Sequence, residues 1–485
     1  MKLLRTIAMC ALLSMSATLS TSSQQLSGLT VFRYTKRIPV GIFDGVQYIR
    51  TYGMLSGVVA PGEKIDGLGK NPFAYTAEYE IIEPAKPGVS DTVVVEPENR
   101  GNPLVLGRLN SFPASGSPSK AEYPIGLGNG WMFRHHIAYA RVQWQYPLAV
   151  GVPKTAQGVG EAIVRDFGAA LASRYHTRLL VGISQSGWFV ETFVAEGFNE
   201  FPQNHEAVYS GAIAMDGTGN WLALNQLAKA NHTPQQPYVD PVNPTVLSAK
   251  ELLHNPKTDP FFIDVANYTD FYRVHASVTD TTDLPENMRR YDWPSPHATG
   301  SRASSTNAFT KMECNGGKPV WLNPIAYDAY MRAIVLELAH RLGGGVGPAP
   351  ELPPTTLFKL GPAPTDTEHF NPLKGVTLEV PVVDADAQPE GGVRFPEVEN
   401  PIGKPVPVSL NPVITTTINN TCGNLGEWQP IWGDDLAKRY GSSAGFVTRY
   451  GASLDRLIKE GYVLEEDRMP MLARAAQLYA NPGGY

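Results

Sequence analysis

Two serines two residues apart, Ser184 and Ser186, lie in the stretch VGISQSGWF, residues 181–189. A serine hydroxyl is a weak nucleophile at neutral pH, so it attacks a carbonyl group only when a neighbouring base takes its proton. When such a serine lies on a sharp turn between a strand and a helix, its neighbours must be small, which gives the pattern G-x-S-x-G. The five places of the pattern are filled by Gly182, Ile183, Ser184, Gln185 and Ser186. This spacing predicts Ser184 as the nucleophile.

Ser186 stands at the fifth place, where the pattern has glycine. A side chain this small is compatible with the sharp turn. Ser186 is expected on the first turn of the following helix, where its hydroxyl can cap the helix. The alternative interpretation is a serine-rich helix N-cap with no chemistry.

The base that activates Ser184 is expected late in the chain, because the order in this arrangement is serine, acid, histidine. Among the downstream histidines, His297 lies in RRYDWPSPHATGS, in a loop that follows a strand and precedes the last strong core helix. That position favours His297 as the base. His275 stands among apolar residues and is expected to be structural.

The acid that orients the histidine is expected after the strand FFIDVAN, because catalytic groups gather at the carboxyl ends of strands in such sheets. Asp264 lies inside that strand, whereas Asp270 comes just past its end. Asp270 is therefore preferred. Asp280 and Asp283 remain alternatives.

The oxyanion that forms during attack needs preorganised N–H donors. One is expected from the backbone of Gln185, the residue after the nucleophile. The other is expected from Arg100 or Gly101 in the ENRGN loop after the strand DTVVVEPE, with a plain turn as the alternative interpretation of this loop. Trp188 and Trp221 are predicted to line the substrate pocket, with a core position as the alternative.

The elements that must position these residues alternate between strands and helices. Apolar runs such as DTVVVEPE, HIAYARVQW, TRLLVGIS and FFIDVAN predict buried strands, and GVGEAIVRDFGAALASRY has helical periodicity. This alternation predicts βαβ units and a mostly parallel sheet, hence an α/β fold. A helix pair is predicted in the tail segment that begins DDLAKRYGSSAG.

The chain divides into three predicted segments. Residues 1–23 combine Lys2 and Arg5 with an apolar run and a small-residue tract, which is typical of a secretory signal peptide. Residues 24–345 form the core, with a lid-like insertion at about 219–260 that is rich in Pro, Asn and Gln. Residues 346–485, after a Gly/Pro-rich break, form a C-terminal extension that packs on the core.

Two cysteines, Cys314 and Cys422, remain after the predicted cleavage and could form one disulfide in an oxidising compartment. Their spacing does not match a metal site. The net charge of −6 is spread along 485 residues without a long basic run, which argues against a nucleic-acid partner. Neither G-x-x-x-x-G-K nor H-E-x-x-H occurs, so no cofactor or metal is predicted.

The motifs also resemble a known family. The chain is similar to the secreted α/β-hydrolase-domain family with a G-x-S-Q-S-G elbow, in GISQSGWFVETFVAEGFNE, PENRGN and LNPIAYDAYMRAIVLELAHRL, and in tail elements such as EGYVLEEDRMPMLARAA. The resemblance spans most of the mature chain and implies an α/β-hydrolase fold with a catalytic triad. The family's serine, acid and late loop histidine fall on Ser184, Asp270 and His297. This chain departs from the family at Trp188, where arginine is common, and at Asp270, where glutamate is common.

Together, these patterns predict a secreted or periplasmic serine hydrolase that cleaves carboxylic esters or lactones through an acyl-enzyme on Ser184. The expected partner is a small-molecule ester, with no stable membrane insertion. Two alternatives remain open: a secreted amidase or peptidase with the same triad, and a non-catalytic binding protein that kept the fold.

Overall fold

The computed structural model describes residues 27–61, 63, 65, 71–111, 127–145, 148–149, 158–217, 221–222, 237–238, 248–279, 281–297, 312–314, 318–343, 351–364, 377–407 and 424–483. The segment predicted as a signal peptide and Cys422 lie outside these residues. Cleavage at the N-terminus and the disulfide therefore stay predictions.

The strands follow in chain order. They are β1 (Gly28–Phe43), β2 (Val46–Val59), β3 (Phe73–Pro84), β4 (Thr92–Pro97), β5 (Ile137–Val142), β6 (Thr177–Ile183), β7 (Glu200–Phe201), β8 (Glu206–Ala207), β9 (Gly211–Met215), β10 (Trp221–Leu222), β11 (Pro237–Tyr238), β12 (Phe261–Asn267), β13 (Met288–Trp293), β14 (Met312–Cys314), β15 (Lys318–Leu322), β16 (Leu360–Pro362), β17 (Glu379–Pro381), β18 (Gly403–Val406) and β19 (Glu427–Pro430).

Nine of these strands form one sheet in the order β1-β2-β3-β5-β4-β6-β9-β12-β13. Strands β1, β2 and β3 pair antiparallel, and β3 joins β5 antiparallel. Every pairing from β5 to β13 is parallel. The predicted α/β class with a mostly parallel sheet is confirmed.

Helices flank this sheet and continue into the C-terminal segment. They are α1 (Val105–Leu109), α2 (Trp131–Arg134), α3 (Val159–Leu171), α4 (Gln185–Ala195), α5 (Ala249–Leu252), α6 (Asp270–Arg273), α7 (Asp328–Arg341), α8 (Pro396–Glu399), α9 (Gly433–Tyr440), α10 (Ser443–Lys459) and α11 (Arg468–Ala480). Among the described residues no helix is long and apolar enough to cross a bilayer.

The central strands are buried on both faces, which explains why they read as continuous apolar runs and not as alternating patterns. Side chains still alternate between two apolar clusters. Along β6, Leu179 and Val181 face one cluster, whereas Leu180 faces the other. Because these strands pair in parallel, their carboxyl ends lie along one edge of the sheet.

The C-terminal segment packs on the sheet domain through its own side chains. Phe395 stacks on Tyr330 of α7 with ring centroids 3.5 Å apart and an interplanar angle of 1°. Arg332 of α7 pairs with Asp467, with Nη2 and Oδ1 2.5 Å apart, and both side chains are buried. One apolar cluster therefore contains residues from both segments.

The predicted insertion falls within the connection between β9 and β12, which are neighbours in the sheet. Its described parts are the strand pair β10 and β11 and the helix α5, which begins with a capping box at Ser248 and Glu251. Its use as a lid stays a prediction.

Glu337 of α7 is a buried carboxyl, and neither of its oxygens has a hydrogen-bond partner among the described residues. Burial raises its pKa from the ordinary 4.5 to about 9. The folded chain therefore keeps this proton between about pH 4.5 and pH 9, where the unfolded chain loses it, so stability falls as pH rises through that window.

We expect Glu337→Gln to leave the melting temperature nearly unchanged at pH 5 and to raise it at pH 8, because the amide carries no charge to bury. The gain at pH 8 should be about 4–5 kcal/mol, or several degrees. Thermal unfolding of both proteins at the two pH values measures it. An equal shift at both pH values would contradict this assignment.

Candidate active site

Ser184 occupies the turn between β6 and α4, with φ 59° and ψ −124°. A non-glycine residue at such a positive φ costs about 1–3 kcal/mol and persists only where its surroundings enforce it. Two hydrogen bonds hold the turn. The Ser184 N–H donates to the Met215 carbonyl at 2.9 Å, and the Trp188 N–H donates to the Ser184 carbonyl at 3.0 Å. The predicted sharp strand–turn–helix is present.

Two glycines make this turn possible. A Cβ atom added to Gly182 would lie 2.0 Å from the carbonyl oxygen of Ser186. A Cβ atom added to Gly187 would lie 2.3 Å from the carbonyl oxygen of Met215 on the neighbouring strand. Glycine is thus required at Gly182 and at Gly187, two residues before and three residues after Ser184. This leaves room for a side chain at Ser186.

Ser186 is buried, and its hydroxyl is bound to the strand and not to the helix. Ser186 Oγ donates to the Ile183 carbonyl at 3.0 Å and accepts from the Ile183 N–H at 2.9 Å. The Ser186 hydroxyl therefore does not cap the helix as expected, but binds the backbone at the end of β6. Both functions of this hydroxyl are engaged, which leaves Ser184 as the hydroxyl exposed to the base.

Gly182→Ala should destabilise the fold by about 3 kcal/mol and should abolish most activity, because the clash is with backbone that cannot move without displacing Ser184. Gly451→Ala is the matched control. Its new Cβ would lie 3.4 Å from a Leu472 methyl in a helix, where alanine is preferred to glycine. Thermal unfolding and ester turnover of both variants measure the effect; equal melting temperatures would contradict it.

His297, Ser184 and Asp270 form a continuous hydrogen-bonded set. His297 Nε2 lies 2.8 Å from Ser184 Oγ. His297 Nδ1 lies 2.5 Å from Asp270 Oδ1. All three side chains are buried, at 9%, 0% and 1% exposure for Ser184, Asp270 and His297. This is the geometry in which an imidazole can take a hydroxyl proton at one nitrogen while a carboxylate orients the other.

The loops after β12 and β13 bring these residues together. The Asn267 N–H donates to Asp270 Oδ2 at 2.7 Å, which fixes the carboxyl at the start of α6. The His297 N–H donates to Thr269 Oγ1 at 2.7 Å. Thr269 Oγ1 in turn donates to the Asn424 carbonyl at 2.9 Å, so the C-terminal segment supports the site.

A second carboxyl, which the sequence reasoning missed, lies beside this set. Asp216 directly follows β9, is fully buried and has φ 58°. Its Oδ1 lies 3.9 Å from His297 Nδ1, and Asn267 Nδ2 donates to it. Burial raises its pKa from 3.8 to about 7; the charge of His297 acts to lower the pKa, and the charge of Asp270 acts to raise it. The pattern GAIAMDG, an aspartate at the end of an apolar strand, would have found it.

Side chains of His, Cys, Asp and Glu can bind metal ions. Among the residues described, one group of three such side chains has potential ligand atoms that all lie within 4.8 Å of one another: Asp216, Asp270 and His297. All three are buried and hydrogen-bonded, to one another or to Asn267 and Ser184.

The predicted oxyanion loop lies against the nucleophile turn. Asn99 Nδ2 donates to the Ile183 carbonyl at 2.8 Å, and Arg100 and Gly101 have φ of 49° and 80°. The Arg100 N–H donates to Gln185 Oε1 at 3.1 Å, so it must exchange that acceptor to serve an oxyanion. The Gly101 N–H has no acceptor within the described part of the chain. The donor roles stay predictions.

The remaining candidates either have other described contacts or lie outside the described residues. Trp188 is 3% exposed and belongs to an apolar cluster of the core. The side chain of Trp221 and the whole of Asp280 fall outside what the structure describes. Asp264 pairs with the buried Arg290, and Asp283 pairs with Lys250 at the surface.

Comparisons with known proteins give one family match. The family model described as "Alpha/beta hydrolase domain" matches residues 139–473. A sequence comparison with curated proteins found no match.

Several solved structures are similar over part of the chain. Prolyl oligopeptidase B from Galerina marginata is 9% identical, with a TM-score of 0.26 over 49% of this chain and 33% of that one. A CE15 glucuronoyl esterase from Teredinibacter turnerae is 11% identical, with a TM-score of 0.25 over 41% and 48%. XC6422 from Xanthomonas campestris, an α/β serine hydrolase without a lid, is 9% identical, with a TM-score of 0.24 over 46% and 80%. The chain thus spans about a third of the first and half of the second, and similarities this low carry no argument about activity.

Proposed function

This chain belongs to the alpha/beta hydrolase domain family, and on that premise we propose that it cleaves carboxylic esters through an acyl-enzyme on Ser184. The predicted fold class, an α/β-hydrolase fold, is confirmed by that membership together with the mostly parallel sheet. One observation carries the proposed chemistry: His297 lies 2.8 Å from Ser184 Oγ on one side and 2.5 Å from Asp270 on the other.

In the proposed mechanism Ser184 Oγ attacks the carbonyl carbon of the ester, and its proton passes to His297 Nε2. Asp270 accepts the hydrogen bond from His297 Nδ1–H and stabilises the imidazolium. The tetrahedral intermediate collapses when the bond to the alcohol oxygen breaks, and His297 gives its proton to that oxygen. Water then attacks the acyl group while His297 takes a proton from the water; the bond to Ser184 Oγ breaks, His297 returns the proton to that oxygen, and the carboxylic acid leaves.

The negative charge on the carbonyl oxygen must be met by fixed donors, each worth about 3 kcal/mol. We assign the first to the N–H of Gln185, the first residue of α4, and the second to the loop at Arg100 and Gly101. In this proposal Gly101 is favoured as the second donor, because the Arg100 N–H is already bound to the Gln185 side chain.

Secretion is part of the proposal and rests on the N-terminal sequence. Residues 1–23 have the basic start, apolar run and small-residue tract of a cleaved leader. N-terminal sequencing of the protein recovered from its native host tests this point. An N-terminus between residues 17 and 24 supports export, whereas an intact Met1 opposes it.

Ester and amide substrates distinguish the proposed function from its nearest alternative, because the same triad can act on both. We expect the purified protein to hydrolyse p-nitrophenyl acetate and butyrate with a kcat/KM at least 100-fold above that for p-nitroacetanilide. Turnover of a peptide or anilide without ester turnover would favour an amidase. A folded protein that turns over neither substrate and does not react with a phosphonate would favour a binding protein.

A further inference from the structure

We propose that Asp216 is a positioning residue of this site: it shares a proton with Asp270, which keeps Asp270 as the ionised partner of His297, and it replaces Asp270 when that carboxyl is lost. This inference rests on the proposed function of the triad. Asp216 lies at the end of β9, whereas the predicted acid, Asp270, follows β12. Among the described hydrogen bonds of the site, none joins Asp216 to Ser184.

The two carboxyls lie in one buried pocket and are held by one residue. Asn267 donates its backbone N–H to Asp270 Oδ2 at 2.7 Å and its side-chain Nδ2 to Asp216 Oδ1. Ser295 Oγ donates to Asn267 Oδ1, which fixes the orientation of that amide. Asp216, Asn267, Asp270 and Ser295 are each 0% exposed. The pocket therefore cannot relax by turning either carboxyl towards water.

One carboxyl oxygen of Asp216 and one of Asp270 lie within 4.8 Å of each other and of a His297 ring nitrogen. Two adjacent carboxylates resist ionising together in a buried site, so one of them keeps a proton until the pH rises past its raised pKa. Asp270 already accepts from the Asn267 N–H and from His297 Nδ1, which favours its ionised form. Asp216 therefore holds the shared proton and donates it to Asp270.

Two further groups face Asp216 from neighbouring elements. Arg108 of α1 and Tyr327, just before α7, act electrostatically on Asp216 from the neighbouring elements. Burial raises the pKa of Asp216 to about 7 despite the positive charges of Arg108 and His297. The shared proton is therefore present below about pH 7 and is lost above it.

Loss of that proton and loss of Asp270 both leave an ionised Asp216 beside the imidazole of His297. In the native chain at high pH, an ionised Asp216 adds a second negative charge 3.9 Å from His297 Nδ1. This charge favours the imidazolium, so His297 loses its proton only at a higher pH. In Asp270→Asn the like charge is gone, so Asp216 ionises at lower pH and can stabilise the imidazolium in place of Asp270.

A double-mutant cycle on p-nitrophenyl acetate at pH 6, where Asp216 holds the shared proton, tests the proposal with Asp216→Asn, Asp270→Asn and the double variant. We expect Asp216→Asn to lose less than about 10-fold in kcat/KM, because its amide can still donate to Asp270. We expect Asp270→Asn to lose about 10²-fold and the double variant about 10⁴-fold or more, the level of a triad without an acid, which exceeds the product of the two single losses. The low-field proton resonance of the His297 Nδ1–H should persist in Asp270→Asn and vanish in the double variant.

The pH profile provides a second, independent test. In Asp216→Asn the acidic limb of kcat/KM should move to lower pH by at least half a unit, because no second carboxylate can stabilise the imidazolium. If Asp216 is purely structural, Asp216→Asn lowers kcat/KM by the same factor in the native chain and in Asp270→Asn, and the pH profile does not move. Either result would overturn the proposal. Should Asp270→Asn fail to fold, this profile alone decides.

Different results would refute the proposed function and the role of Asp216. If the native protein turns over no ester and its Ser184 does not react with a phosphonate, the triad itself is refuted. If the native protein is active but the cycle is additive, only the role of Asp216 is refuted.

Discussion

Ser184→Ala should lower kcat/KM for p-nitrophenyl acetate by about 10⁴- to 10⁶-fold, the range seen when a triad nucleophile is removed. The alanine removes the oxygen that lies 2.8 Å from His297 Nε2 and leaves the rest of the turn in place. Its effect on stability should be small or favourable, since no other described contact of Ser184 Oγ is lost. Initial rates and thermal unfolding of the purified variant measure both effects.

Ser186→Ala is the matched control for this prediction, because it removes a hydroxyl two residues away. Ser186 Oγ is bound to the N–H and the carbonyl of Ile183, so its loss should cost about 1–3 kcal/mol of stability. Activity at 25 °C should stay within about tenfold of the native value. If Ser186→Ala abolishes turnover while Ser184→Ala does not, the register of the nucleophile turn is wrong.

His297→Gln should lower kcat/KM by about 10⁴-fold or more, because glutamine fills a similar space and cannot take the serine proton. His297 is 1% exposed and lies between Ser184 and Asp270, so a role in surface solvation does not account for it. The rate of phosphonate labelling should fall in parallel with turnover, because both reactions need the activated hydroxyl.

His254→Gln is the control for the loss of a histidine. His254 is exposed and bonds through Nδ1 to the Glu251 carbonyl at 2.9 Å. This variant should match the native protein in rate and melting temperature. If His297→Gln keeps activity within tenfold of the native rate while it is folded, another group is the base and the assignment of His297 is refuted.

The main strands were predictable because burial on both faces leaves uninterrupted apolar runs. Strand β12 was predicted at 261–267 and is found there, and β4 was predicted at 91–98 and is found at Thr92–Pro97. Helix α7 was predicted at 327–342 and spans Asp328–Arg341. The nucleophile turn was predictable for the same reason, since a strand, a small-residue turn and a helix leave a local pattern.

Contacts between distant segments were not predictable in the same way. Asp216 and Asp270 meet because β9 and β12 are neighbours in the sheet, and nothing local to either residue encodes that pairing. The acid was predicted only at the end of β12, although Asp216 also lies at the carboxyl end of a strand, where catalytic groups gather. The clamp of Ser186 on Ile183 was also missed, because the pattern treats the fifth place as a question of size and not of hydrogen bonding.

The C-terminal extension shows the same limit. Its helix pair was predicted at the segment now seen as α9 and α10. Its attachment to the site through the Thr269–Asn424 hydrogen bond depends on a contact 155 residues apart in the chain. Such contacts arise from packing and leave no pattern in either segment.

The most direct test of the central claim is labelling of the purified protein with a fluorophosphonate, followed by mapping of the adduct by mass spectrometry. In this reaction a serine oxygen displaces fluoride from phosphorus, so only an activated hydroxyl reacts rapidly. We predict a single adduct on Ser184 that is absent in Ser184→Ala and present in Ser186→Ala. A folded native protein with no adduct, or with its adduct on Ser186, would contradict the account.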